Sequence, residues 1–116
     1  MVAPSTAESM TIEELENEVK AKPGDATLKK RLGWAYYHAG EPFEAKRILE
    51  TARSANPGNV EILYALGIVL KKIGEKSDAR QVFSEVVQLT ENADVSPRHS
   101  MIRHLAENQI TIMDRL

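Results

Sequence analysis

Apolar residues along most of this chain recur every three or four positions, which is the spacing of one face of an α-helix. Two segments show this pattern clearly. We therefore predict an all-α chain whose helices bury one face each. The predicted core faces are Leu28, Leu32, Ala35, Tyr36 and Ala39 in the first segment, and Ile62, Leu66, Val69, Leu70 and Ile73 in the second.

Residues that start and stop helices divide the chain into six predicted helices. Thr11 and Glu14 have the spacing of a capping box, and Met10 with Leu15 has that of a hydrophobic staple. Residues 1–10 are small and polar, so we predict a disordered segment there and a single helical domain over residues 11–116. The predicted helices run from Thr11 to the Pro23–Gly24 break, from Asp25 to about Ala39, from Pro42 to about Ala55, from Val60 to Ile73, from about Lys76 to Thr90, and over about residues 97–115.

All six glycines fall into three pairs with one spacing of 34 residues. A spacing of this size is typical of a helical repeat, here over about residues 23–56 and 57–90. Repeats of this kind stack, and their exposed faces rather than a catalytic pocket usually carry function. The pairs are Gly24 with Gly58, Gly33 with Gly67, and Gly40 with Gly74.

The residues at fixed places in these units are those of a known repeat. The first unit has Leu32, Gly33, Tyr36, Ala45, Leu49 and Ala52 and is closed by the proline that follows it, Pro57. The second has Leu63, Leu66, Gly67, Leu70, Ala79, Phe83 and Val86. In them the chain resembles the tetratricopeptide repeat family, whose 34-residue unit is a helix hairpin. The chain departs from the family pattern at Lys29, where the family often has tryptophan, and at Glu91, which replaces the closing proline. The resemblance implies a short right-handed solenoid of antiparallel helix hairpins, with the last helix capping it.

The resemblance also implies that the face opposite each core stripe lines a concave groove. In this chain that face combines cations and aromatic rings, the residue types that most often anchor interfaces. We therefore predict a non-enzymatic adaptor that binds an extended, partly acidic peptide segment of a protein partner. Some members of the family clamp the carboxylate tails of chaperones, and of the residues that do so only Lys30 is present here. Binding of chaperone tails is therefore not expected. The predicted partner-binding residues are Lys30, Arg31, Trp34, Tyr37, His38, Tyr64, Ile68, Lys71 and Lys72.

Composition removes several other function classes. The chain of 116 residues carries a net charge of -2, which gives no global attraction to nucleic acid or to an anionic membrane. Cysteine is absent, so neither a disulfide nor a thiolate metal site can form, and we expect a cytoplasmic protein. His99 and His104 diverge by about 140° around a helix and make a poor metal pair. No glycine-rich phosphate loop occurs, so we expect no enzyme, no cofactor and no metal.

One alternative to the adaptor is a structural role for the last helix. Its apolar residues spread beyond a single stripe, which would suit packing against a second copy in a homodimer. RNA binding through the same cations and aromatic rings is a more distant alternative, because the overall charge is acidic. The apolar residues of the last helix are Met101, Ile102, Leu105, Ile110, Ile112 and Met113.

Overall fold

A computed structural model of the chain describes residues 10–92 and 95–115. All regular structure in these ranges is α-helical, which confirms the predicted fold class. The predicted disordered segment lies outside the described residues except for Met10. The helices are α1 (Ile12–Ala21), α2 (Ala26–His38), α3 (Pro42–Ala55), α4 (Val60–Ile73), α5 (Lys76–Leu89) and α6 (Pro97–Asp114).

The helices stack as a series of hairpins. Each helix packs against the next along the chain, with α2 against α3 and α4 against α5 as the two central hairpins. The alternate helices α2, α4 and α6 also contact one another in succession and so form one layer. Helix α6 packs against α5 as well as α4, which places it at the end of the stack.

Local capping residues fix where these helices begin. Thr11 and Glu14 form the predicted capping box, with each side chain accepting the other residue's backbone N–H. The side chains of Asp25, Asn59 and Ser96 accept backbone N–H groups in the first turns of α2, α4 and α6. The layer of alternate helices therefore has a side-chain cap at the start of each member, which satisfies otherwise unpaired donors.

The hairpin turns and the packing between helices both depend on glycine. Gly40 and Gly74 follow α2 and α4 with φ angles of 79° and 98°, a left-handed conformation that glycine adopts without a steric penalty. Gly67 lies inside α4 where it meets α5, and a Cβ atom there would lie 2.5 Å from Cε1 of Phe83. The missing side chain therefore permits the close approach of the two helices of the second hairpin.

The core runs along the interfaces between the helices, both within and between the hairpins, and confirms most of the predicted faces. Leu32, Leu66 and Val69 are buried there. Ala39 was wrongly placed on the core face: it is exposed because α2 ends at His38 and the chain turns away at this C-cap. Three further members of the predicted faces are only partly buried, namely Leu28, Ala35 and Ile73.

Helix α1 is held to the first hairpin by a polar contact as well as by its apolar stripe. Leu15 is buried, and the hydroxyl of the buried Tyr36 donates a hydrogen bond to the carboxylate of Glu16. Burial, followed by the neighbouring Glu16 carboxylate, raises the pKa of Tyr36 to about 12. Both causes disfavour the charged phenolate, so the folded chain holds the phenolic proton more tightly than the unfolded chain does.

This raised pKa predicts a loss of stability at high pH. Above the ordinary value of 10.0, the unfolded chain releases the Tyr36 proton while the folded chain keeps it until about 12. The free energy of unfolding is therefore expected to fall over this window. Urea unfolding at about pH 9 and about pH 11 should show a smaller fall for Tyr36→Phe than for the wild type. Tyr37→Phe, which leaves the contact with Glu16 in place, serves as the control, and an equal fall in all three proteins would contradict the prediction.

Candidate functional site

The layer of α2, α4 and α6 presents equivalent positions side by side. Counted from their N-cap residues, the fifth residues are Lys30, Tyr64 and Met101, and the ninth are Trp34, Ile68 and Leu105. A groove of about 280 Å³ opens among these positions. We call it the inner groove and define it by its lining residues, which are Lys30, Trp34, Glu61, Tyr64, Arg98, Met101 and Ile102.

Helix α2 contributes a cluster of rings to this surface. Trp34 is partly buried and meets Tyr37 edge to face, with ring centroids 5.6 Å apart. The ring of His38 stacks on Trp34 with centroids 6.0 Å apart and also contacts Tyr37. The three rings therefore support one another, and the indole lies at the wall of the inner groove with its orientation restricted.

Helix α4 contributes a second aromatic ring, which also connects it to α6. Tyr64 packs against the buried Phe83, with ring centroids 5.7 Å apart. Burial raises the pKa of Tyr64, a hydrogen bond with Gln109 opposes this, and the nearby Tyr37 adds to the rise. At neutral pH the Tyr64 hydroxyl is therefore protonated and hydrogen-bonds with Gln109, while Tyr64 also lines the groove.

The predicted cations are distributed over different parts of the surface. Lys30 lines the inner groove, and Arg31 beside it is partly buried. Lys71 instead donates a hydrogen bond of 2.7 Å to Oε1 of Gln109 and lines a second cavity, at the C-terminal ends of α4 and α6. Lys72 is exposed, and Ile68 is partly buried against the core. Of the nine predicted residues, Lys30, Trp34 and Tyr64 meet in the inner groove.

A carboxylate that the sequence reasoning missed lies between the groove cations. One oxygen of Glu61, Oε1, accepts from Lys30 Nζ at 2.7 Å and from Arg98 Nη2 at 2.5 Å. Burial alone would raise the pKa of Glu61, but Lys30 and Arg98 outweigh it and lower that pKa. The groove thus carries an ionised triad with one net positive charge. Glu61 and Arg98 each stand two residues after an N-cap, which is the signal that could have paired them.

Comparison with known proteins agrees with the helical hairpins. A family model described as Tetratricopeptide repeat matches residues 39–99, which is more than half of the chain. The chain belongs to the tetratricopeptide repeat family. Human Tetratricopeptide repeat protein 7A is 37% identical over 49 residues, which are 42% of this chain and 6% of that protein. The chain therefore spans only a small part of this curated relative.

A solved tetratricopeptide domain has the same arrangement of helices. The Sgt2 TPR domain from Aspergillus fumigatus superposes with a TM-score of 0.69 at 15% sequence identity, over 90% of this chain and 69% of that domain. At this identity the likeness shows the fold alone. Family membership and fold together support a protein–protein interaction module.

The rest of the described surface adds two findings for this tetratricopeptide repeat. Over residues 10–92 and 95–115, no group of three or more histidine, aspartate or glutamate side chains could hold a metal ion. No helix in those ranges is long and apolar enough to cross a membrane. The inner groove brings together aromatic, apolar and charged groups of the described residues.

Proposed function

We propose that this tetratricopeptide repeat is a non-enzymatic adaptor that holds an extended, partly acidic peptide segment in the inner groove. The observation that carries the proposal is the convergence of Trp34, Tyr64 and Met101 beside the cations Lys30 and Arg98. Rings and thioethers supply apolar contact area, and the cations supply attraction for carboxylates.

The apolar part of the groove suits insertion of side chains from a partner. Trp34 and Tyr64 are partly buried by their neighbours, so little conformational freedom is left to lose on binding. Met101 remains 60% exposed and is flexible enough to adapt to different apolar side chains. Together they favour an aliphatic or aromatic anchor in the ligand, since buried anchors of this kind dominate binding energy.

The charge of the groove differs from that of the whole protein. The chain is acidic overall, with a net charge of -2, whereas the triad in the groove has two cations and one carboxylate. Lys72 lies exposed farther along α4. The local positive charge favours a ligand that carries carboxylates and disfavours a basic one, because like charges in an interface are costly.

The direction of the groove favours an extended ligand. Equivalent positions on α2, α4 and α6 form rows that cross the helix axes. Neighbouring helices in a layer are separated by about 8 to 10 Å, so a row across three helices is about 20 Å long, or roughly six extended residues. A short segment without secondary structure can follow this path.

An array of blocked peptides of roughly eight residues, each with apolar anchors and acidic residues in varied order, tests this proposal. Labelled wild-type protein should bind a subset of these peptides, and the Met101→Glu variant should no longer bind that subset. Phe43→Glu is the matched control, because Phe43 on α3 is 68% exposed and lies outside the groove. Equal binding by Met101→Glu, or binding lost equally in both variants, would contradict the proposal.

The alternative of self-association is favoured by one observation on α6. Met101, Leu105 and Ile112 are exposed large apolar side chains on this helix. Their neighbours Ile102, Ile110 and Met113 are partly buried against the core and so offer less area to a second copy. Light scattering over a dilution series distinguishes the two roles. A mass of two chains that falls to one on dilution would favour the homodimer, and a constant mass of one chain would favour the adaptor.

A further inference from the structure

The three charges of the inner groove are held unequally. Glu61 receives both cations on the same oxygen, Oε1. The side chain of Lys30 is 19% exposed and that of Glu61 is 26% exposed, whereas that of Arg98 is 66% exposed. Lys30 and Glu61 therefore form the shielded part of the triad, and Arg98 is the part that faces solvent.

Arg98 also keeps most of its hydrogen-bonding capacity. A guanidinium has five N–H donors in a planar fork, and Glu61 accepts from one nitrogen, Nη2. A carboxylate that approaches from solvent can take two parallel hydrogen bonds from such a fork, a geometry stronger and more specific than a single bond. Lys30 offers a point charge that already binds Glu61 in a shielded position.

We infer that Arg98 is the specificity-determining cation of the groove, and that Glu61 competes with the carboxylate of the ligand for it. This inference rests on the proposed function. A ligand carboxylate displaces Glu61 from Arg98 and forms the two-bond pair, while Lys30 keeps Glu61 in place. An anion that binds Arg98 more weakly than Glu61 does will therefore not displace Glu61.

The spacing on α6 gives the order of groups in the ligand. Arg98 and Met101 are three residues apart on one helix, so their Cβ atoms are about 5 to 6 Å apart. In an extended peptide, side chains two residues apart lie on the same side and are separated by roughly 6 to 7 Å. A ligand that crosses the helix axes meets Arg98 and Met101 side by side, so its acidic residue is a near neighbour of the apolar anchor that packs on Met101 and Tyr64. A spacing of two positions places both side chains on the same side of an extended peptide.

Two blocked alanine–serine peptides serve as probes, one with leucine two positions from aspartate and the other with asparagine in place of the aspartate. The chain has one tryptophan, Trp34, so its emission reports directly on the groove. Wild-type protein should bind the aspartate peptide about tenfold more tightly than the asparagine peptide. Arg98→Gln should remove this preference. Arg47→Gln is the matched control, because that side chain is 61% exposed on α3, and it should behave as the wild type does.

The decisive variant is Glu61→Gln, which removes the competitor and leaves both cations. Its affinity for the aspartate peptide should rise about fivefold, with the affinity for the asparagine peptide unchanged. Circular dichroism establishes that each variant is folded at the assay temperature. Should Glu61→Gln not fold, the wild type alone still tests the inference, because its preference for aspartate should shrink as salt is added.

The outcomes separate this inference from the proposed function. If both leucine peptides bind equally and Met101→Glu abolishes both, the groove binds peptides but Arg98 does not select them, and the inference is overturned. A folded Glu61→Gln protein that binds the aspartate peptide more weakly would also overturn it. If neither peptide changes Trp34 emission and the peptide array is also empty, the proposed function itself fails.

Discussion

Gly67→Ala is expected to lower the free energy of unfolding by about 1 to 2 kcal/mol, although alanine favours helix over glycine by about 1 kcal/mol. The added Cβ would lie 2.5 Å from Cε1 and 2.8 Å from Cδ1 and Cζ of Phe83. That ring is fully buried, so it cannot move without displacing its neighbours in a close-packed core. The steric cost therefore exceeds the gain in helix propensity, and urea unfolding followed by circular dichroism measures the difference.

Two further variants make this test specific. Gly58→Ala adds the same methyl group at a position where, apart from the adjacent residues of the chain, no heavy atom would lie within 4 Å of the Cβ. It should therefore leave stability nearly unchanged. In the double variant Gly67→Ala with Phe83→Leu, the smaller side chain makes room for the Cβ. The double variant should lose less stability than the sum of the single changes. Wild-type stability in Gly67→Ala would show that α4 and α5 can separate at little cost.

The order and bounds of the helices could be predicted because their causes are local. Asp25 and Asn59 cap the helices that follow them, and Gly74 ends α4 in the left-handed conformation. Each signal acts within a few residues of itself, so the sequence contains all the information needed. The predicted ends of α2 and α5 were each one residue too long, since the final residue of each is a C-cap.

The 34-residue period alone does not predict the pairing of charges in the groove. The N-caps of α2 and α4 are 34 residues apart, but those of α4 and α6, Asn59 and Ser96, are 37 apart. The register of α6 against α4 therefore follows from its docking on α5 and not from the period of the sequence. This register brings Arg98 to Glu61, and so the sequence reasoning assigned neither to the groove.

The 34-residue period also did not indicate the contact that Lys71 makes with α6. Its position in the repeat is equivalent to that of Tyr37, which indicated a residue facing the ligand. In the folded chain Lys71 Nζ is 2.7 Å from Oε1 of Gln109 and so helps to hold α6 against α4. Replacing Lys71 would disturb this contact between helices, which makes it a poor variant for testing ligand binding. Trp34 has no such role between α4 and α6 and is the better choice.

Trp34→Ala is expected to weaken peptide binding at least about thirtyfold, because buried aromatic anchors at interface centres cost roughly 2 kcal/mol or more when truncated. The indole lies at the wall of the inner groove and is held by Tyr37 and His38, so it can be covered by a ligand at low entropic cost. Fluorescence anisotropy of a labelled peptide taken from the array measures the change, since this variant lacks the tryptophan signal.

The loss of binding should not come from unfolding. Trp34 is only partly buried, so its truncation should cost less than the about 3 to 5 kcal/mol of a buried aromatic side chain. Trp34→Phe keeps a ring against Tyr37 and should retain most of the affinity, which separates the loss of the ring from a general change in α2. If Trp34→Ala is folded by circular dichroism and binds the peptide with wild-type affinity, the ligand does not lie in the inner groove.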